Sequence, residues 1–203
     1  MAVIHLASRS PRRRELLAQI GVRFEVLLFR EGLRQDPETS ETAFPGEHPD
    51  DYVRRVTRLK AEAAWKRVGE RRGLKRMPVL AADTTVALDN EILGKPADRA
   101  DAARMLRLLA GTRHRVLTAV AVAFDDRLDM RVSESHVTFG PIDERRIEAY
   151  AASGEPFGKA GGYGIQGRAG AFASRLEGSY SGVMGLPLYE TAALLREFGV
   201  AVP

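Results

Sequence analysis

The chain has 203 residues, 44% of them apolar, enough for one sizeable domain or two small lobes around a buried core. It contains no cysteine, which excludes a disulfide framework and thiolate chemistry and suits a reducing, cytoplasmic setting. Its net charge of +4 is spread along most segments rather than gathered in a tail, and no aromatic-and-basic RNA motif, zinc finger or basic heptad appears. That balance favours small phosphorylated ligands over nucleic acid as partners.

Val3 to Ala7 reads as a short buried strand, followed by Ser8-Arg9-Ser10-Pro11-Arg12-Arg13-Arg14 and a helical pattern. Ser10 suits the N-cap and Pro11 the first helical position, where its missing N–H costs nothing. The helix, 11–21, closes at Gly21. Three arginines at a helix start oppose the dipole, and a bound anion compensates them, so this end is a candidate phosphate site; the alternative is plain solvated surface. Arginines this early also break any signal-peptide apolar region. Phe24 to Phe29 follows as a second strand. Residues 30–49, with acids, three prolines and two glycines and no periodicity, form a long loop of the kind that is often functional.

Tyr52, Val56, Leu59 and Ala63 recur at helical spacing, giving a helix over about 50–70 with Arg54, Arg55, Arg58 and Lys66 on its polar face. On spacing alone, Lys60 reads as one more surface lysine. Val79 to Leu88 is a strand that Asp83-Thr84 interrupts. An unpaired buried carboxylate is expensive, so Asp83 is either a bend residue accepting backbone hydrogen bonds, or a metal ligand or general base. Asp89-Asn90 turns the chain into Glu91-Ile92-Leu93, and Gly94-Lys95-Pro96 fixes one long cation between small and rigid neighbours.

Asp98 starts the next helix, with Ala102, Leu106 and Leu109 inward and Gly111 at its end. Val116 to Phe124 alternates larger residues with mostly smaller ones at a period of two and returns through Asp125-Asp126 to Met130–Gly140 as a long hairpin. This run, broken only by Thr118, is far short of the roughly 20 residues that span a bilayer, so no membrane association is expected. His114 and His136 have no partner at metal-ligand spacing. Asp143 caps a short helix to about Ser153. The glycine-rich stretch 154–167 lets a ligand approach the main chain, and Tyr163, Ile165 and Gln166 within it argue against a flexible linker. A strand over 171–176 and a helix to Phe198 complete an α/β chain without internal repeat or linker, read as one domain over 1–203.

Taken together, S-x-S-P-R-R-x-E-L-L at residues 8–17, Lys60-Ala61, A-D-T at 82–84, G-K-P at 94–96, K-A-G-G-Y-G-I-Q-G at 159–167 and the run 177–188 resemble the Maf family of nucleoside triphosphate pyrophosphatases. The matches extend from residue 6 to about 191, in order. The resemblance implies a mixed twisted β-sheet with flanking helices, the Maf/Ham1 (inosine-triphosphatase-like) fold, with two lobes around a cleft. It implies hydrolysis of a nucleoside triphosphate to the monophosphate and pyrophosphate. The A-D-T and Y-G-I-Q-G forms are similar to the dTTP/UTP subgroup; 7-methyl-GTP or non-standard nucleotides, or a non-catalytic regulator of cell division, are the alternatives.

By the same resemblance Asp83 is the proton acceptor for the attacking water and, with Glu41, holds a divalent cation, magnesium or manganese. Arg13, Lys60, Lys95 and Lys159 grip the triphosphate, with hydroxyl contacts from Ser8 and Ser10. Arg12, Thr84 and Gln166 distinguish the base, Gln166 through an amide that pairs with the carbonyl and imide edge of thymine or uracil. Two positions depart from the family pattern, Ser40 and Gly158, each standing where it has an aspartate. Glu31, Glu38 and Glu47 compete with Glu41 for the loop carboxylate. Family members are often homodimers.

Overall fold

The computed structural model describes residues 3–28 and 41–202. Phe29, Glu31, Glu38 and Ser40 therefore lie outside the described residues. One mixed sheet organises the rest. Strand β1 (Ile4–Leu6) runs parallel to β2 (Phe24–Val26) on one side and to β3 (Val79–Leu88) on the other. Antiparallel pairing then continues through β5 (Arg113–Phe124), β6 (Arg127–Phe139) and β7 (Ala173–Glu177), while β4 (Glu91–Leu93) folds back on β3.

The helices follow their sequence signals. Helix α1 (Pro11–Gln19) carries Pro11 in its first turn and ends before Gly21, at φ +71°. Helix α2 spans Pro49–Glu70, and α3 (Arg99–Leu109) and α4 (Glu144–Ala151) are capped as expected by Asp98 and Asp143, whose carboxylates accept from the N–H groups of Asp101 and Arg146. Two further helices, α5 (Tyr180–Met184) and α6 (Leu188–Glu197), close the chain. Asp125, at φ +56°, makes the tight turn between β5 and β6.

Alternation along β3 and β5 decides what each face carries. One face presents Leu80, Ala82 and Val86 of β3 and Val116, Val120 and Val122 of β5. Two separate apolar clusters cover it. In one, Leu16 and Leu17 of α1 and Leu194 and Leu195 of α6 pack on Leu80, Ala82 and Val120. In the other, Leu106 and Leu109 of α3, Ile147 of α4 and Tyr163 pack on Val86 and Val116. Between them lie Thr84 and Thr118, directly opposite one another in the β3–β5 register. These clusters are the cores of the two lobes, and the cleft runs between them.

The opposite face is rich in alanine: Ala81, Ala121 and Ala123, with Val79, meet Ala61 and Ala64 of α2, while Ala87 and Ala119, with Leu117, meet Val53. Side chains this small let the helix lie close to the sheet. Its buried stripe is Tyr52, Val53, Val56, Thr57, Ala61, Ala64 and Val68: Tyr52 and Val56 face inward as the spacing predicts, but further along the helix the stripe lies about one residue round, so Leu59 and Ala63 are only half-buried. Lys60 consequently lies toward the sheet rather than in solvent.

Candidate active site

Strand β3 is not interrupted at Asp83-Thr84. Its ladder with β5 runs unbroken from Val79 to Ala87, with Asp83 opposite Ala119. What breaks is the other edge. There β1 pairs with Val79 and Leu80, and β4 with Val86 to Leu88, so residues 81–85 have no neighbouring strand among the described residues. The cleft, about 490 Å³, opens at this gap and is lined by Asp83 and Thr84. Side chains from both faces of the sheet reach it there.

Asp83 is 7% exposed and points toward α2, where it meets Lys60. The Lys60 ammonium donates to Asp83 Oδ1 at 2.6 Å and to Glu41 Oε1 at 2.6 Å, and Lys95 donates to Glu41 Oε2. Four charged side chains far apart in sequence thus alternate in sign along one line. Burial opposes the Lys60 charge, but Asp83 and Glu41 outweigh it and raise its pKa. Burial likewise pushes Glu41 up, and Lys60 and Lys95 overcome it, holding that carboxyl at about 2. The Tyr52 hydroxyl fixes the Glu41 backbone by donating to its carbonyl oxygen at 2.9 Å. Glu47, the other described candidate, is spent on Arg55.

Across the cleft stands Arg13, half-buried at the start of α1. It donates through Nε to the Gly185 carbonyl at 2.7 Å, through Nη1 to Ser8 Oγ at 3.4 Å and through Nη2 to Thr84 Oγ1 at 3.3 Å. Burial lowers its pKa, with Asp83 acting the other way. Gly185 has φ +118°, and a β-carbon there would sit 3.5 Å from Thr84 Oγ1 and 3.7 Å from Arg13 Nε. Ser10 occupies the N-cap position, yet its side chain makes no capping bond, while Ser8 Oγ accepts the Ser10 N–H at 3.2 Å. The α1 N-terminus therefore faces the cleft without a side-chain cap.

The second lobe supplies Lys95, Lys159 and Gln166 to the same cleft, and Arg12 joins them from the first. Arg12 donates to the Met184 carbonyl at 3.3 Å, and Lys159 to the carbonyl of Glu155. Gln166 is exposed at the rim. All eleven residues singled out from the sequence line this one cavity. Thr84 differs from a free specificity contact: besides accepting from Arg13, its hydroxyl is bonded to Thr118 Oγ1 at 3.0 Å. Gly158 takes φ +72° with open space where a β-carbon would stand, so packing does not exclude the family aspartate there.

Sequence reading missed Thr118, Phe157 and the Met184 and Gly185 carbonyls. For Thr118 a signal existed, since it is the one polar residue in the run Val116–Phe124. Phe157 lines the cleft 43% exposed, an apolar ring beside Gly158 that glycine density concealed.

A two-lobed α/β protein with cations crowding around two carboxylates at a break in its sheet falls in the class of proteins that bind polyanions. The family model described as "Maf-like protein" matches residues 3–198, and the chain belongs to that family. It is 60% identical to a dTTP/UTP pyrophosphatase of Cupriavidus metallidurans over 199 residues, covering 98% of both chains. It is 54% identical to one of Nitrosomonas europaea, covering 98% of this chain and 96% of that protein. Among solved structures, the Ham1 protein of Staphylococcus aureus is similar at a TM-score of 0.39 and 18% identity, over 70% of this chain and 72% of that one.

Proposed function

We propose that this chain hydrolyses dTTP and UTP to the monophosphate and pyrophosphate. The observation that carries the reading is the Lys60 ammonium held between Glu41 and Asp83 at the sheet gap, with Arg13 facing it across the cleft. The names of full-length relatives at 60% and 54% identity supply the substrates.

In this reading Arg13, Lys95, Lys159 and the α1 N–H groups bind the phosphate oxygens, and Ser8 and Ser10 add hydroxyl contacts. Lys60 neutralises charge on the phosphate under attack. Asp83 accepts a proton from the water whose oxygen bonds to the α-phosphorus, and the bond from that phosphorus to the bridging oxygen breaks, releasing pyrophosphate. Gln166 and Arg12 read the base edge, with Thr84 acting from beneath.

Two carboxylates suit a divalent cation that completes its shell with phosphate oxygens and water, as magnesium does. Among the described residues no group of three or more histidine, aspartate or glutamate side chains gathers to hold a metal unaided, so the fit is to an ion carried with the nucleotide. When bound, such an ion would polarise the phosphate; Asp83 and Glu41 would hold it. A cytoplasmic homodimer completes the proposal, and no described helix is long and apolar enough to cross a membrane.

Pyrophosphate release from a nucleotide panel, with magnesium or manganese, tests it. Release from dTTP and UTP ahead of 7-methyl-GTP and inosine triphosphate is expected. Preference for one of the latter would overturn the substrate assignment, and nucleotide binding without release from any would overturn the enzyme.

A further inference from the structure

Arg13 cannot choose its own direction, because a guanidinium on a long stem has many rotamers and a cleft full of cations repels it. Three acceptors hold it: the Gly185 carbonyl, Ser8 Oγ and Thr84 Oγ1. The last is unusual, since a hydroxyl both donates and accepts. Its usefulness to a cation depends on where its own proton goes.

That proton's place follows from the next link. Thr118 Oγ1 donates to the Gly182 carbonyl at 2.7 Å, which uses its only hydrogen. In the 3.0 Å contact between the two threonines, Thr84 must then be the donor and Thr118 the acceptor. The Thr84 lone pairs are left facing Arg13 Nη2. The relay therefore has one direction, from Arg13 through Thr84 and Thr118 to a backbone carbonyl of α5. Thr118 is fully buried and lies away from the cleft lining.

We infer that Thr118 is a positioning residue: its buried hydroxyl sets the proton of Thr84 and thereby aims Arg13 at the polyphosphate. The inference rests on the proposed reading only for what Arg13 grips. Three of the five guanidinium N–H groups are taken by the protein, and the two that remain serve the ligand. Without the Thr118 hydroxyl, Thr84 is free to turn its proton toward Arg13, which converts an attraction into a repulsion.

The test is Thr118→Val, which keeps the branched shape and removes the hydroxyl, beside Thr118→Ser, which keeps the hydroxyl. Inorganic pyrophosphate affinity is measured by calorimetry and dTTP hydrolysis by steady-state kinetics. Thr118→Val is expected to raise both the pyrophosphate Kd and the KM for dTTP about tenfold, with kcat within about twofold. Thr118→Ser is expected to stay within about twofold of wild type. In an Arg13→Gln background, Thr118→Val should add less than about twofold, because the two act as one unit.

An equal effect in both backgrounds, or no rescue by serine, makes Thr118 merely structural and overturns the inference. If Thr118→Val does not fold, Thr84→Val breaks the same relay at its half-buried link and must give the same tenfold loss. Wild type that binds pyrophosphate with the stated variant effects, yet releases none from dTTP, refutes the enzymatic reading and leaves the relay standing. Wild type that binds no pyrophosphate overturns both.

Discussion

Lys60→Met keeps the apolar stem of the side chain and deletes only the ammonium, so two carboxylates are left facing the space it filled. Each oxygen lies 2.6 Å from that nitrogen, which puts them within about 5 Å of each other. At an effective dielectric of about 20, two charges at that separation repel by about 3 kcal/mol. Removing one member of a buried pair costs about 3–5 kcal/mol, and here Asp83 and Lys60 have side chains only 11% and 12% exposed. Two features soften the loss: Lys95 still neutralises Glu41, and a third of the Glu41 side chain is exposed. The net expectation is a destabilisation of about 2 kcal/mol at neutral pH. Urea titration should read it as a lower midpoint with unchanged slope. The double variant Lys60→Met/Asp83→Asn should recover most of it, because the unpartnered charge has gone. A loss below about 0.5 kcal/mol, or no recovery in the double variant, would refute the claim that an interior ammonium holds these two acids together.

Other outcomes follow from the same geometry. Asp83→Asn should lower pyrophosphate release by at least about 10²-fold while calorimetry still detects nucleotide binding, since it removes the proton acceptor and keeps the shape. Gln166→Ala should narrow the preference for dTTP over 7-methyl-GTP in competitive turnover; an unchanged ratio removes Gln166 from base reading. Gly185→Ala forces a side chain into φ +118° beside Arg13, and thermal melting should show a loss of about 1–3 kcal/mol together with a raised KM. Burial, with a smaller contribution from His136, holds His114 down at about 4, and its Nε2 lies 2.8 Å from the Tyr163 hydroxyl. The unfolded chain takes up that proton near pH 6.5, so this contribution to stability is complete above 6.5 and is lost as pH falls toward about 4, by on the order of 3 kcal/mol. Melting of wild type and His114→Gln across that window should show the steeper decline in wild type, and parallel curves would contradict it.

Sequence reading reached what depends on nearest neighbours and short periods. Ser10-Pro11 marked a helix start, Asp98 and Asp143 proved to be caps, and Asp125-Asp126 proved to be the turn of a long hairpin. Asp83 stood out because a carboxylate amid Val79-Leu80-Ala81-Ala82 has to be explained by some partner. The partner itself was not legible. Helix α2 carries several basic residues, and a shift of its buried stripe by about one position decides that Lys60 is the one turned to the sheet. Nothing local selects Glu41 over Glu47; the structure does so by giving Glu47 to Arg55 and Glu41 to Lys60 and Lys95.

The single expectation about β3 that failed locally is the most instructive. Asp83-Thr84 looked like an interruption because a polar pair breaks an apolar run, whereas the strand is whole and its neighbours are what stop short. Which strands flank residues 81–85 is a property of chain segments dozens of residues away. Register has the same character: Thr84 meets Thr118 because β3 and β5 pair at that offset, and a slip of one residue would turn either hydroxyl to the alanine face. Composition and spacing therefore determined which side chains carry charge and where helices and strands begin. Only tertiary packing decided which charges touch, because contact distances are set by sheet register and by how closely an alanine-lined helix approaches, and neither is encoded within one segment.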